Sequence, residues 1–109
     1  MDLGKSSTGV QPNVAALLSY VLGFITGIIF FLIEKDNKFI RFHAMQSIIT
    51  FAVIFVLQLF TAYLPFLQPV LVPVLNVGGL ILWIICMIKA YQGEKFKLPV
   101  IGDIAEQKI

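Results

Sequence analysis

Charged residues are scarce in this chain, and none lies between Arg41 and Lys89. Only 13% of the 109 residues are charged, whereas 59% are hydrophobic. Soluble domains carry roughly a quarter charged residues. A soluble fold of this length cannot bury so much apolar surface, because small domains bury only part of their chain. The composition therefore excludes a small soluble domain and predicts an integral membrane protein.

Other residue types that support chemistry are nearly absent. Cys86 is the single cysteine, so no disulfide framework exists, and an apolar run around it predicts an inert thiol. His43 is the single histidine and has no cysteine or carboxylate at ligand spacing, which argues against a metal site. We find no nucleophile–base pair, carboxylate pair or phosphate loop. The net charge of +2 is too small to indicate nucleic acid. We expect no enzyme activity, no cofactor and no nucleic-acid partner.

Apolar runs and prolines divide the chain into three predicted membrane spans. The first run is about as long as the ~30 Å hydrocarbon layer, and the charged segment 34–38 ends it. The long charge-free run must be split, and Pro65, Pro69 and Pro73 mark the connection. Pro73 could begin the third helix or kink it. The predicted organisation is a mobile N-terminal tail at 1–12, a three-helix transmembrane domain at 13–91 (helices at about 14–33, 37–64 and 70–91) and a cytoplasmic C-terminal tail at 92–109.

The fold class predicted from these runs is all-α, an integral membrane three-helix bundle. Asp36 or Asn37 is expected to cap the second helix, and Gly93 to end the third. The second helix is longer than a bilayer is thick. Its first two turns are therefore expected to form an interfacial amphipathic extension, from which Arg41 reaches the lipid headgroups.

Basic residues predict an orientation. With three spans, the N-terminal tail shares one side with the 65–69 connection, and that side carries only Lys5. The other side carries the remaining seven basic residues: Lys35, Lys38, Arg41, Lys89, Lys95, Lys97 and Lys108. Positive residues in short loops stay in the cytoplasm. We expect a multi-pass protein of a prokaryotic cytoplasmic membrane, with its N-terminus outside and its C-terminus inside.

A stripe of small residues marks the predicted packing face of the first helix. Ala15, Ser19, Gly23 and Gly27 recur every four residues, which places them on one helical face. Helices in membranes associate by close backbone contact, because lipid is as apolar as leucine. The alternative is that small residues are simply common in spanning helices; the bulky residues on the opposite face favour the packing interpretation.

Polar side chains form a stripe along the second helix. A polar stripe cannot face lipid cheaply, so it is expected to point into the bundle or toward a partner. His43 could be a proton-responsive site near the cytoplasmic face or, as we favour, a structural interfacial histidine. The candidate functional or packing residues are Arg41, His43, Gln46, Ser47, Thr50, Gln58 and, on the third helix, Asn76.

Two charged segments have simpler interpretations. Glu34 and Arg41 lie in a loop region that secures topology, or they pair to clamp the first two helices together, for at most ~1 kcal/mol. Lys95 and Lys97 are expected to contact anionic lipid, at roughly 1 kcal/mol per basic residue near the surface.

Two strings resemble a known family. Residues 34–47, Glu-Lys-Asp-Asn-Lys-Phe-Ile-Arg-Phe-His-Ala-Met-Gln-Ser, resemble the loop-and-helix signature of short bacterial and archaeal membrane proteins. These are grouped with the chloroplast inner-envelope import component, the twenty-kilodalton translocon subunit. Ala90–Gly93 and Pro99–Glu106 resemble the closing signature of that group. The resemblance implies an α-helical multi-pass protein and, for plastid members, a role in a protein-import channel.

The leading functional hypothesis is a non-enzymatic membrane component that acts by packing with itself or with another membrane protein in the lipid bilayer. Three spans can hardly enclose a pore alone, so a homo-oligomer is a natural corollary. The alternative is a small oligomeric channel or transporter lined by the polar face of the second helix. A lipid-binding scaffold that uses the basic tail is a third possibility.

Overall fold

The computed structural model of the protein describes Gly4, Ser6 and residues 9–109. The described residues form five α-helices and no strand. The helices are α1 (Pro12–Val21), α2 (Phe24–Ile33), α3 (Lys38–Phe60, followed by a 3₁₀ turn at Thr61–Tyr63), α4 (Gln68–Tyr91) and α5 (Ile101–Lys108). The predicted mobile tail at residues 1–12, including Lys5, lies largely outside the described residues.

Two of these helices are long and apolar enough to cross a membrane. They are α3 with its 3₁₀ turn and α4. Asn37 caps α3 as predicted, since its Oδ1 accepts the amide of Ile40 at 3.1 Å. Pro73 lies inside α4, whose first turn holds Pro69. Gly93 follows α4 at φ +82°, and the amide of Glu94 donates to the carbonyl of Lys89 at 3.0 Å. This is the glycine-terminated cap that the sequence predicts.

The first apolar run is not one spanning helix, and the prediction of a single helix over residues 14–33 is wrong. Leu22 and Gly23 separate α1 from α2, and Gly23 adopts φ +60°. Each helix has 10 residues and is about 15 Å long at 1.5 Å per residue, half of what a bilayer requires. The predicted three-helix bundle is therefore replaced by two long helices and a pair of short ones.

The two short helices form a hairpin that enters and leaves at the same end of the molecule. Asn13 Nδ2 donates to the carbonyl of Tyr91 at 3.0 Å, and Trp83 Nε1 donates to the carbonyl of Tyr20, so α1 runs antiparallel to α4. Ser47 Oγ donates to the carbonyl of Gly23 at 3.2 Å, near the tip. We call α1 and α2 the re-entrant hairpin.

The hairpin removes the premise of the predicted orientation. The start of α1 lies beside the end of α4, whereas an N-terminus outside and a C-terminus inside would place these points at opposite ends. The prediction required three crossings by residues 14–91. The structure has two helices of sufficient length, so both described ends of the chain lie together.

Residues 94–100, which we call the arm, turn back into the bundle after α4. Glu94 and then Phe96 of the arm bond His43 and then Gln46 of α3, so the arm runs parallel to that helix. α5 then doubles back along the arm, with Lys97 paired to Asp103 at 3.9 Å and, more closely, to Glu106. The range expected to be a tail is thus packed against α3.

Candidate functional site

Three buried polar side chains meet where the hairpin, α3 and the arm converge. Tyr20 Oη lies 2.7 Å from His43 Nδ1, and Gln46 Nε2 donates to Tyr20 Oη at 2.9 Å. His43 and Gln46 have no exposed surface, and Tyr20 is 1% exposed. We call Tyr20, His43 and Gln46 the polar hub. It lies in the half of the molecule that contains the hairpin and the arm.

Main-chain atoms of the arm complete the hub. His43 Nε2 lies 2.9 Å from the carbonyl oxygen of Glu94. A carbonyl only accepts, so Nε2 carries a proton and donates. In the neutral ring Nδ1 is then the acceptor for the Tyr20 hydroxyl. The directions of these bonds define a neutral His43 whose two ring nitrogens are both satisfied.

Gln46 uses both ends of its side-chain amide. Nε2 also donates to the carbonyl of Phe96 at 2.8 Å, and Oε1 accepts the amide of Leu98 at 3.0 Å. A buried polar group without a partner costs about 1–3 kcal/mol, so these bonds make the arm's position against α3 specific. One glutamine of α3 thus bonds two main-chain groups of the arm, and His43 bonds a third.

Aromatic rings close the surroundings of the hub. The rings of Phe39 and Phe42 meet the His43 imidazole edge to face, with centroids 4.7 and 5.2 Å away. Phe42 is fully buried. The first turns of α3 therefore pack inside the protein, and the predicted burial of Phe42 is against His43.

Arg41 secures the far end of the hairpin rather than a lipid headgroup. Its Nη1 donates to the carbonyls of Phe31 at 3.0 Å and Glu34 at 2.8 Å, and its guanidinium lies 4.1 Å from the centroid of the Phe31 ring. These carbonyls end α2 and lack helical partners, so a cation there satisfies them. The contact between Arg41 and Glu34 uses the main-chain carbonyl of Glu34 instead of the predicted charge pair, and the Glu34 carboxylate accepts the amide of Asn37 at 3.1 Å.

The four small residues are divided between the two helices of the hairpin and the break that separates them. Ala15 and Ser19 are fully buried in α1. Gly23 forms the break, where an added Cβ would lie 3.3 Å from the Phe51 ring. Gly27 lies in α2, where a Cβ would lie 3.2 Å from the carbonyl oxygen of Ala44. All four lie at close contacts, but the continuous face predicted for one helix does not exist.

The polar stripe of α3 separates into two groups. Ser47 is fully buried at the hairpin tip, and Thr50 is 5% exposed with no partner for its hydroxyl among the described residues. Gln58 lies further along α3, where its Nε2 donates to Asn76 Oδ1 of α4 at 2.7 Å. The structure thus brings His43 and Gln46 together and leaves Gln58 and Asn76 as a separate pair.

Lys95 and Lys97 contact acidic and aromatic groups of the chain itself. Lys95 Nζ lies 3.5 Å from Glu106 and 5.1 Å from the centroid of Phe42. The ion pair with Lys97 lowers the pKa of the Glu106 carboxyl and raises the pKa of the lysine. Both lysines are partly exposed, so their contact with anionic lipid stays a prediction.

Sequence reasoning missed Tyr20, Gly102 and the arm. Tyr20 sits in an apolar run and reads as an ordinary spanning residue. The arm contributes main-chain atoms, which side-chain patterns do not show. Gly102 lies inside the Pro99–Glu106 string, but the sequence does not show its packing role: a Cβ there would lie 2.6 Å from the Cβ of Lys97. Among the residues that the structure describes, no group of three or more His, Cys, Asp and Glu side chains could hold a metal ion.

Comparison with known proteins identifies related sequences. A model of the magnetosome magnetite crystal formation protein family matches residues 10–105. The chain is 52% identical over 105 residues to a UPF0132 membrane protein of Methanocaldococcus jannaschii, covering 96% of this chain and 94% of the relative. A UPF0132 membrane protein of Archaeoglobus fulgidus is 51% identical over 100 residues, covering 92% and 97%. No solved structure matches the chain.

These matches correct the resemblance drawn from residues 34–47 and 90–106. The family model and the archaeal relatives cover nearly the whole chain, including both strings. They give no link to the chloroplast import subunit, so that assignment was wrong. In this fold the Arg-Phe-His-Ala-x-Gln core has a local explanation, because Arg41 ends α2 while His43 and Gln46 hold the arm.

Proposed function

We propose, from the premise that this chain belongs to the magnetosome magnetite crystal formation protein family and is a membrane protein, that it is a non-enzymatic membrane component that works by assembly. The names of the archaeal relatives give membrane location, and two helices long enough to span a membrane support it. The assembly partner is a second copy or another membrane protein within the bilayer. The hub is the internal brace that holds a fixed shape for that partner.

The observation that carries this proposal is the contrast between the two ends of the molecule. In the hub half, α3 and α4 are covered by the hairpin and by the arm. In the other half, which we call the distal half (residues 52–82), the hairpin and the arm leave most of the two helices uncovered, and large apolar side chains face outward. The exceptions lie at its lower edge, where Leu82 packs on the core cluster around Tyr20 and Ile101 of α5 meets the two helices. Phe55, Leu59, Val74 and Val77 are each more than half exposed. A bare pair of helices with a rigid base suits lateral association, since membrane helices associate by packing.

The basic residues support a revised orientation. Lys35, Lys38 and Arg41 lie around the start of α3, and Lys89, Lys95, Lys97 and Lys108 lie from the end of α4 onward. The two groups share the hub end, where α3 begins and α4 finishes. Positive residues remain in the cytoplasm. We therefore place the hub and both described ends at the cytoplasmic face, with the 64–67 connection outside.

The same geometry favours assembly over conduction. A channel lined by α3 would use the polar face of His43, Gln46 and Ser47. All three side chains are fully buried and bond the hairpin or the arm. A conducting path along this face would require the hairpin and the arm to move away from α3.

A mass measurement in mild detergent or native nanodiscs tests the assembly proposal. We expect a homo-oligomer, or a stoichiometric complex with a second membrane protein. A lone monomer extracted at native abundance, with no co-purifying protein, would contradict it. Ion flux through reconstituted liposomes that is abolished by Gln46→Leu would contradict the preference over a channel.

A further inference from the structure

An open groove lies between the distal parts of α3 and α4. It continues the face that the hairpin fills in the hub half and begins where the hairpin turns at Gly23, beside Phe51. The groove has a volume of about 340 Å³ and is lined by Phe51, Ile54, Gln58, Asn76, Leu80 and Trp83, with Gly79 at its floor. Its walls are apolar except for the one amide pair at its centre.

Only two of the four hydrogen-bonding groups in that amide pair have a partner within the described chain. Gln58 Nε2 donates to Asn76 Oδ1 at 2.7 Å. The side-chain oxygen Oε1 of Gln58 has no partner among the described residues, and the side-chain Nδ2 of Asn76 has none there either. Exchanging the assigned O and N atoms of both amides changes nothing essential, because one donor and one acceptor are still left over.

The pair lies within the two long helices, nearer the 64–67 connection than the hub. Asn76 is about 12 Å from Gln68 along α4 at 1.5 Å per residue, and Gln58 lies two residues before α3 ends at Phe60 and five before the 3₁₀ turn ends at Tyr63. No water is available in a hydrocarbon core, and each unsatisfied group there costs several kcal/mol. Lipid tails filling the groove would leave both groups unsatisfied. The occupant must therefore present an amide-like donor and acceptor at this depth.

We propose that the groove is the contact surface for a second copy of this chain, related by a two-fold axis along the membrane normal. This rests on the proposed function and names its partner and surface. In such a dimer equal depths meet, and the Gln58–Asn76 bond shows that these residues share one depth. Asn76 of each copy donates to Gln58 of the other. Two bonds within the copies and two between them close a ring of four amides. The two bonds between the copies are reciprocal, as an isologous interface requires.

Disulfide cross-linking in native membranes tests this surface with a matched control. Leu80→Cys places a thiol on the groove, whereas Ile81→Cys places one at nearly the same depth but 100° around α4. Leu80 and Ile81 are 51% and 52% exposed, so exposure does not distinguish them. The native protein serves as the blank, because its Cys86 is 1% exposed. We expect a cross-linked dimer from Leu80→Cys at least fivefold more abundant than from Ile81→Cys.

Removing the amide groups tests whether they hold the two copies together or whether the two Leu80→Cys thiols meet only by chance contact. Adding Asn76→Leu or, separately, Gln58→Leu to Leu80→Cys should reduce the cross-linked dimer at least threefold. Equal cross-linking from both cysteines, none from Leu80→Cys, or no effect of either leucine would overturn the proposal. An oligomeric mass without a Leu80→Cys cross-link would reject this interface and leave assembly standing. A monomeric mass would reject both.

Discussion

At the scale of single residues, Gln46 joins three parts of the chain with one side chain. It bonds the hairpin through Tyr20 and the arm through Phe96 and Leu98, all from α3. Because the donors and acceptors are buried, the free energy at stake is the cost of leaving them unpaired, about 1–3 kcal/mol each. The arm contributes main-chain groups, which cannot be changed by mutation, so Gln46 is the position at which the junction can be tested.

Gln46→Leu is expected to lower the free energy of unfolding by about 3 kcal/mol, because the bonds to Tyr20, Phe96 and Leu98 lose their common partner. Denaturant titration in mixed micelles measures it. Thr50→Val is the matched control on the same helix. It removes a hydroxyl that has no partner among the described residues and should leave the free energy of unfolding nearly unchanged. An equal decrease in the free energy of unfolding for the two substitutions would show that the bonds of Gln46 do not stabilise the junction.

Gly102 is a second residue on which the arm depends. A Cβ there would lie 2.6 Å from Lys97 Cβ and 2.7 Å from Lys97 Cα, closer than atoms can pack. We expect Gly102→Ala to separate α5 from the arm and to increase trypsin cleavage after Lys97 severalfold. Gly78→Ala is the control, because nothing lies within 4 Å of its added Cβ. If both variants are cleaved at the native rate, the close approach at Gly102 is not needed.

At the scale of elements, the helix ends were more predictable from sequence than the hairpin. The Asn37 cap and the Gly93 turn are local chemistry, which the sequence shows directly. The break at Gly23 is not local, since one glycine in an apolar run is usually tolerated within a spanning helix. What distinguishes Gly23 is tertiary contact. The Phe51 ring lies 3.3 Å from where a Cβ at this position would be, and Ser47 bonds the Gly23 carbonyl.

The α3 side chains of the candidate site could be predicted from the sequence, but their partners could not, for the same reason. His43 and Gln46 stood out because polar side chains in an apolar helix need partners. Their partners did not stand out. Tyr20 lies 23 residues before His43, and Glu94 and Phe96 take part through carbonyl groups that every residue has. Pairing the stripe with the right atoms required the fold.

Arg41 tests whether the hairpin is held as an element. Arg41→Ala removes the donor that bonds the carbonyls of Phe31 and Glu34, so the end of α2 should open. We expect amide hydrogen exchange across α2 to increase at least tenfold while exchange in α4 is unchanged. Lys38→Ala removes a neighbouring charge and should leave α2 protected. Uniform acceleration in α2 and α4 would indicate global loosening instead.

At the scale of the whole molecule, the chain has a thick base and a thin pair of helices. The hairpin, the arm and α5 pack around α3 and α4 at the base, while among the described helices only these two extend to the other end of the molecule. Seven of the eight basic residues lie at the base end of the described chain. This asymmetry accounts for the orientation that we propose and for the exposed distal faces available to a partner.

The re-entrant hairpin is the claim on which this account depends, and cysteine accessibility tests it directly. Single cysteines replace Gln11 before α1, Asp36 between α2 and α3, Phe66 in the outer connection and Gln107 in α5. A membrane-impermeant maleimide is then applied to intact cells and to inverted vesicles. We predict that only Phe66→Cys is labelled on cells, and that the other three are labelled only on inverted vesicles. Labelling of Gln11→Cys on intact cells, together with Phe66→Cys, would show that residues 14–33 cross the membrane and would contradict the hairpin.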